Sequence, residues 1–409
     1  MTEATSYPKN KIKVLLLENI HETAREIFRS EGFDLEVLSG AMGEAELIEK
    51  IKDVHIVGIR SKTNLTEPVL AAAKRLLAVG CFCIGTNQVE LDVAHKLGIP
   101  VFNAPFSNTR SVAELIVSHV VGLSRHVPDH VREMHEGIWN KSAVGSFEVR
   151  GKTLGIVGYG RIGRQVGVLA EAMGMRVLFN DIEQQLPMGN NTFVPDLEEL
   201  LGKADFVSLH VPATEETKGM MTRERIGQMK KGACLLNLAR GSVVDIPALA
   251  DALKSGALAG AAVDVFPVEP RGNGPGFESE LRGLRNVILS PHVGGSTQEA
   301  QENIGREVGG RLVEFINGGL TTGAVNFPVV GQPPLAGCHR ILNVHKNVPG
   351  VLSAINSIIS ESKANVAGQM LSTDPEIGYL VMDLDRDVSE EVKTKVKALE
   401  TSIRTRILY

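Results

Sequence analysis

Short apolar runs alternate along most of the chain with longer stretches whose apolar residues recur every three to four positions. Lys13–Glu18 (KVLLLE) reads as a strand, and Ile20–Glu31, with Ala24, Ile27 and Phe28 on one face, as a helix. Strand His55–Ile59, a helix near Glu67–Arg75, strand Leu77–Val79, a helix near Leu91–Leu97 and strand Val101–Asn103 continue the pattern. This alternation predicts a parallel sheet covered by helices. A long helix is expected over about Arg110–His126, broken or kinked by Pro128. From Lys152 the rhythm restarts with six strand-like runs: Thr153–Val157, Arg176–Asn180, Asp205–His210, Ala233–Asn237, Ala261–Val265 and Val287–Ser290. Helices between them predict a doubly wound sheet. A second long helix, about Thr297–Asn317, returns the chain to the first lobe. The expected architecture is therefore α/β with two Rossmann-like lobes, residues 1–107 with 297–330 and residues 108–296.

Gly331–Gly337 (GQPPLAG) reads as a linker. Beyond it, strand His339–His345, helix Pro349–Ser362, strands Asn365–Ser372 and Tyr379–Asp385, helix Ser389–Leu399 and strand Ile403–Tyr409 follow. That β-α-β-β-α-β order predicts a ferredoxin-like module over residues 337–409. Its short strands favour pairing with a copy of itself.

Composition narrows the partners. The 409 residues are 43% hydrophobic and carry a net charge of −5, which gives no electrostatic basis for nucleic-acid binding. No apolar run reaches the ~18 residues of a spanning helix, and Met1–Asn10 has no apolar signal region. No membrane association is expected. Cys81, Cys83, Cys234 and Cys338 form no C-x-x-C pair and read as reduced thiols of a cytoplasmic protein.

Gly158-Tyr159-Gly160-Arg161-Ile162-Gly163 follows a strand and opens a helix, and Asp181 ends the next strand, 18 residues past Gly163. Gly158 allows the tight turn, Gly160 lets backbone N–H groups approach a pyrophosphate, and Gly163 lets helix and strand pack closely. Asp181 can accept from ribose hydroxyls and would repel a 2′-phosphate, which favours NAD over NADP. Three further segments end strands on the same side of the sheet: Asn237–Gly241, Asp264–Pro270 and Ser290–Ser296. They bring Arg240, Glu269 and His292 toward one place. This trio suits reversible hydride transfer at a carbinol carbon. His292 exchanges the hydroxyl proton, Glu269 raises its pKa, and Arg240 binds a carboxylate and polarises the adjacent carbonyl. By contrast, His126, His130 and His135 are read as a surface-helix feature, with no metal site expected. Asp245-Ile246-Pro247 is read as a helix N-cap followed by an early proline.

These segments, with Gly80–Gln88 (GCFCIGTNQ), Phe102–Ser111 (FNAPFSNTRS) and Ser290–Asn303, identify the chain as resembling the D-isomer-specific 2-hydroxyacid dehydrogenases that carry one C-terminal ACT domain. The resemblance spans nearly the whole chain. It implies Arg240, Glu269 and His292 as catalytic, and Arg161, Ile162, Asp181, Leu238, Ala239, Asp264, Gly294 and Gly295 as NAD contacts. It implies 3-phospho-D-glycerate as substrate, oxidised to 3-phosphohydroxypyruvate in serine synthesis, and some members also reduce 2-oxoglutarate. Alternatives are an enzyme of glycerate and hydroxypyruvate, or an NAD-sensing corepressor-like binding protein. Arg60-Ser61-Lys62, at the end of a strand in the first lobe, are the candidate phosphate site, with Asn108 at the hinge. An arginine is usual in the family where Lys62 stands. Lys141, beside Trp139, resembles a lysine that reaches a neighbouring subunit's active site. In the ACT domain His345, Asn347 and Asn365 are the candidate contacts for L-serine, bound across a domain–domain interface. A homotetramer is implied.

Overall fold

The computed structural model describes residues 6–270, 272–385 and 388–409. They form two compact units, residues up to Ser107 with Gln301–Tyr409, and Asn108–Ala300.

In the first unit β1 (Lys13–Leu16), β2 (Asp34–Val37), β3 (Ile56–Ile59), β4 (Ala78–Cys81) and β5 (Val101–Asn103) make a parallel sheet in the order β2-β1-β3-β4-β5. β3 and β4 are buried along their whole length, as continuous apolar strands covered on both faces must be. One face packs Leu15, Val57 and Val79 against Leu47, Val69 and Leu70 of helices Glu44–Lys50 and Glu67–Ala72. The other packs Val14, Leu16 and Phe102 against Phe28, Val308, Leu312 and Phe315, from helices Glu22–Ser30 and Gln298–Gly318. β2 and helix Glu44–Lys50 lie outside the sequence expectations. β2 is a half-exposed edge strand with only Leu35 and Val37 to signal it.

In the second unit β6 (Thr153–Val157), β7 (Arg176–Asn180), β8 (Thr192–Phe193), β9 (Phe206–Leu209), β10 (Cys234–Asn237), β11 (Gly260–Val263) and β12 (Val287–Leu289) are parallel, in the order β12-β11-β10-β9-β6-β7-β8. The winding direction reverses between β6 and β9, so a crevice opens at their carboxyl ends. The helix Thr109–Ser124 lays Val112, Ile116 and Val120 on Leu154, Ile156 and Leu236 of this sheet. It stops before Pro128, which then stands in the first turn of a second helix, Val127–His135. There the missing N–H would have had no partner anyway.

The C-terminal strands β13 (His339–Lys346), β14 (Val366–Thr373), β15 (Ile377–Leu384) and β16 (Ser402–Leu408) form an antiparallel sheet in the order β14-β15-β13-β16. One face holds Ile341, Leu380 and Met382 against helices Val351–Glu361 and Ser389–Lys397. The opposite face, with Leu342, Val344 and Tyr379, covers Phe327 and Val330 of the first unit. This module is pinned rather than merely tethered. Arg340 pairs with Asp383, both side chains almost wholly out of water, and its Nη atoms donate to the carbonyls of Gly318, Gln332 and Pro333. Two of those carbonyls belong to the stretch expected to be a linker. Tyr379 donates to Gly319 O, Arg404 to Leu97 O and Leu76 O, and Arg406 to Ile316 O.

Candidate active site

The turn after β6 sits at the switch point. Gly158 has φ 90°, and a Cβ there would lie 2.7 Å from the His210 carbonyl at the end of β9, so a side chain is excluded twice over. A Cβ on Gly163 would lie 2.3 Å from Gly158 O, which lets helix Arg161–Ala172 close onto the turn. At its start, Gly160 caps the helix with no side-chain acceptor, and a Cβ there would meet nothing within 4 Å. Helix N–H groups and open space together fit a pyrophosphate. Asp181, ending β7, accepts from Tyr159 N at 2.6 Å and from Glu183 N at 3.3 Å. These bonds hold its carboxylate beside the turn, where a ribose diol would be recognised. Leu238 and Ala239 are buried at the end of β10. These residues fit a dinucleotide.

The acid–base pair is built from the next two strand ends. His292 Nδ1 lies 2.9 Å from Glu269 Oε2, while Glu269 Oε1 accepts from Phe266 N at 3.0 Å. Both carboxylate oxygens are thereby engaged and the imidazole orientation is fixed. His292 itself has a left-handed backbone, φ 55°. Asp264 holds that conformation: its carbonyl accepts from His292 N, Oδ1 accepts from Val293 N and Ser290 Oγ, and Oδ2 accepts from Gly294 N. Asp264 is thus a clamp on the His292 turn as well as a candidate cofactor contact.

The electrostatics follow from the geometry. The hydrogen bond to Glu269 raises the His292 pKa; partial burial opposes it, the Glu269 and Asp264 charges add to it, and Arg240 subtracts from it. Burial pushes Glu269 upward, but the bonds from His292 and Phe266 N and the charges of His292 and Arg240 leave its pKa lowered. Arg240 is extended at the end of β10 and donates to Ala239 O at 2.7 Å, with Asn237 Nδ2 bonded to its carbonyl. Gly295 and Asn108 touch: a Cβ on Gly295 would lie 2.1 Å from Asn108 Nδ2, and Asn108 Oδ1 is buried without a partner.

Arg60, Ser61 and Lys62 follow β3 in the first unit, with Ser61 and Lys62 exposed. Two buried residues beneath them, Glu18 and Gln88, were not among the expected site residues; their sequence signals were an acidic residue closing the first apolar run and the last position of the GCFCIGTNQ stretch. Lys141 lies on an exposed loop, with Trp139 79% exposed. His126 bonds Gly145 O, and among the described residues no three His, Cys, Asp or Glu side chains are placed to hold a metal ion. Asp245 is a helix N-cap, accepting from Ala248 N. Among the described residues no helix is long and apolar enough to cross a membrane.

One chain does not gather the three effector candidates. His345 and Asn347 lie at the end of β13, His345 buried with Nε2 unpartnered and Asn347 bonded to Asp374 O. Asn365 precedes β14, whose first residue Val366 shares the partner Leu384 with His339. β13 and β14 therefore run in the same direction, and Asn365 sits at the far end of the sheet from His345. Gly378 makes room for the His345 ring, since a Cβ there would lie 2.2 Å from its Cε1.

Residues 117–294 match the family model of the D-isomer specific 2-hydroxyacid dehydrogenase NAD-binding domain, and residues 341–404 match an AHAS small subunit-like ACT domain. The chain belongs to the D-isomer specific 2-hydroxyacid dehydrogenase family, and it is an NAD-dependent dehydrogenase. It is 56% identical to a D-3-phosphoglycerate dehydrogenase of Dictyostelium discoideum over 100% of both chains. It is 54% identical to that of Escherichia coli K12 over 99% of both. Among solved structures, a D-lactate dehydrogenase of Aquifex aeolicus complexed with NAD and lactic acid shares 28% identity with a TM-score of 0.67, covering 77% of this chain and 99% of that one.

Proposed function

We propose that this protein oxidises 3-phospho-D-glycerate to 3-phosphohydroxypyruvate, as the names of its full-length relatives indicate, with Arg240, Glu269 and His292 as its catalytic residues. The observation that carries the site assignment is the His292–Glu269 pair at 2.9 Å, set beside Arg240 at the carboxyl ends of adjacent strands. NAD, when bound, supplies the hydride acceptor for the carbinol carbon. His292 Nδ1 is committed to Glu269, so Nε2 takes the hydroxyl proton during oxidation and returns it during reduction. Glu269 stabilises the imidazolium so formed. Arg240 binds the substrate carboxylate through its fork of N–H groups and polarises the neighbouring carbonyl oxygen. Gly158, Gly160, Arg161, Ile162, Gly163, Asp181, Leu238, Ala239, Asp264, Gly294 and Gly295 hold the cofactor. Arg60, Ser61 and Lys62 take the substrate phosphate; Asn108 and Lys141 are the other residues assigned to the substrate. Residues 1–107 with 297–330 serve as the substrate domain, 108–296 as the NAD domain and 337–409 as the regulatory domain.

L-Serine binds where His345 and Asn347 of one chain meet Asn365 of a second copy, since a single sheet separates them. The protein works as a tetramer in the cytoplasm. The deciding experiment is 3-phosphohydroxypyruvate reduction with NADH or NADPH, with and without serine, and with 2-oxoglutarate as a second acceptor. Hydroxypyruvate reduced far more efficiently than its phosphate ester would reject the substrate. Serine inhibition undiminished in Asn365→Ala would reject the effector site.

A further inference from the structure

The loop carrying Arg60 and Lys62 is held from beneath by a buried carboxylate. Glu18, at the carboxyl end of β1, is 7% exposed. Its Oε1 accepts from Arg60 N at 3.2 Å and Thr63 N at 2.8 Å, and its Oε2 accepts from Lys62 N at 3.0 Å. Three amides of one loop thus converge on one carboxylate. From the other side Gln88, 5% exposed, donates to Arg60 O at 2.6 Å and to Gly85 O at 3.2 Å. It couples the Arg60–Thr63 loop to the Cys83–Gln88 loop. Glu18 and Asn19 both have left-handed backbones, φ 61° and 51°, a conformation that costs energy for residues with a Cβ. The surrounding bonds hold them there: Leu17 N donates to Gly58 O, Glu18 N to Gly40 O and Asn19 N to Leu38 O.

We infer that Glu18, with Gln88, is a positioning residue that sets the selectivity of the enzyme for a phosphorylated substrate. Because Glu18 occupies the amides of Arg60, Lys62 and Thr63, these N–H groups are not available to a bound anion. Recognition of a phosphate at this loop then falls to the side chains of Arg60, Ser61 and Lys62, with Ser61 N the one amide of the stretch that Glu18 does not take. Their placement depends on a backbone fixed at four points, through Glu18 and Gln88. A glutamine at position 18 would present an NH2 group to at least one of the three N–H donors. One attraction would become a donor–donor repulsion, and the loop would lose its shape. This rests on the proposal that Arg60 and Lys62 form the phosphate site.

The test compares NADH-dependent reduction of 3-phosphohydroxypyruvate and hydroxypyruvate by the full-length wild type, Glu18→Gln, Gln88→Met, Lys62→Met and Arg60→Gln. Glu18→Gln and Gln88→Met are each expected to lower the ratio of kcat/KM, phosphorylated over unphosphorylated, by about tenfold or more, chiefly through KM. NADH affinity, read by fluorescence titration, stays within about twofold of wild type. An unchanged ratio in both variants, or an equal fall on both substrates, overturns the positioning role. An unchanged ratio in Lys62→Met and Arg60→Gln overturns the phosphate site itself. A fallen ratio there with an intact one in Glu18→Gln and Gln88→Met overturns only the role of the buried pair. If Glu18→Gln does not accumulate as folded protein, Gln88→Met decides.

Discussion

Replacing Asp383 by asparagine removes one charge from the Arg340–Asp383 pair with almost no change of shape. The two side chains are 3% and 4% exposed, and the guanidinium meets the carboxylate twice, Nε to Oδ1 and Nη2 to Oδ2, each at 2.7 Å. At that separation and an effective dielectric of about 20, the gross attraction is about 6 kcal/mol. Most of it offsets the desolvation of the two ions, so the pair as a whole adds little. Removal of one partner is different: it strands Arg340 in a dry seam, at a cost of about 3–5 kcal/mol. The asparagine NH2 also faces a guanidinium N–H where the second carboxylate oxygen stood. Hydrogen exchange reads this loss directly. Amides of β13 and β15 in Asp383→Asn should lose protection by roughly two to three and a half orders of magnitude, about tenfold for each 1.4 kcal/mol. Amides of β6 and β9 in the other unit serve as the unchanged reference. A loss below about tenfold in β13 and β15 would refute the claim that this buried pair holds the C-terminal module.

Three further outcomes bear on the site. Glu269→Gln removes the main cause of the raised His292 pKa, so both pH limits should move the same way. Oxidation, which needs neutral imidazole, extends to lower pH, and reduction, which needs imidazolium, fails at lower pH; pH–rate profiles that stay put in both directions count against the pairing. His292→Gln should lose about 10²–10⁴ in kcat with NADH binding retained by fluorescence titration, and near-normal kcat would remove His292 as the proton carrier. Asp181→Ser should cut the preference for NADH over NADPH by at least about tenfold, measured as a ratio of kcat/KM; an undisturbed ratio would place ribose recognition elsewhere.

The parallel strands and the dinucleotide turn were legible because their signals are local. Continuous apolar runs such as Val57 to Ile59, and glycines forced by close backbone approach at positions 158 and 163, declare themselves over a few residues. The convergence of Arg240, Glu269 and His292 was legible for a different reason: in a doubly wound sheet every strand's carboxyl end faces one edge. β2 escaped because an edge strand with one half-exposed face has only two apolar positions. Glu18 and Gln88 escaped because the bonds by which they hold the Arg60–Thr63 loop run to backbone groups about 42–45 and 28 positions away, and no side-chain pattern encodes such bonds. The Arg60–Lys62 loop was visible as charge, while what shapes it was not. The separation of Asn365 from His345 needed the sheet order, which strand count alone leaves open.

The docking of the C-terminal module has an asymmetry. Arg340, Tyr379, Arg404 and Arg406 all reach out from the module, and each of them finds main-chain oxygens on the opposite side, at Gly318, Gly319, Leu97, Leu76 and Ile316. Main-chain oxygens are present whatever residue occupies the position. These hydrogen bonds therefore survive side-chain changes on the receiving surface, provided its trace is kept, except at Gly319, where a Cβ would lie 2.4 Å from Leu342 Cδ2; the four donors cannot change. A graft of this module onto another α/β scaffold would need to reproduce those carbonyl positions together with an apolar seat like Phe327 and Val330 and a partner like His95 for Asp374 and Glu376.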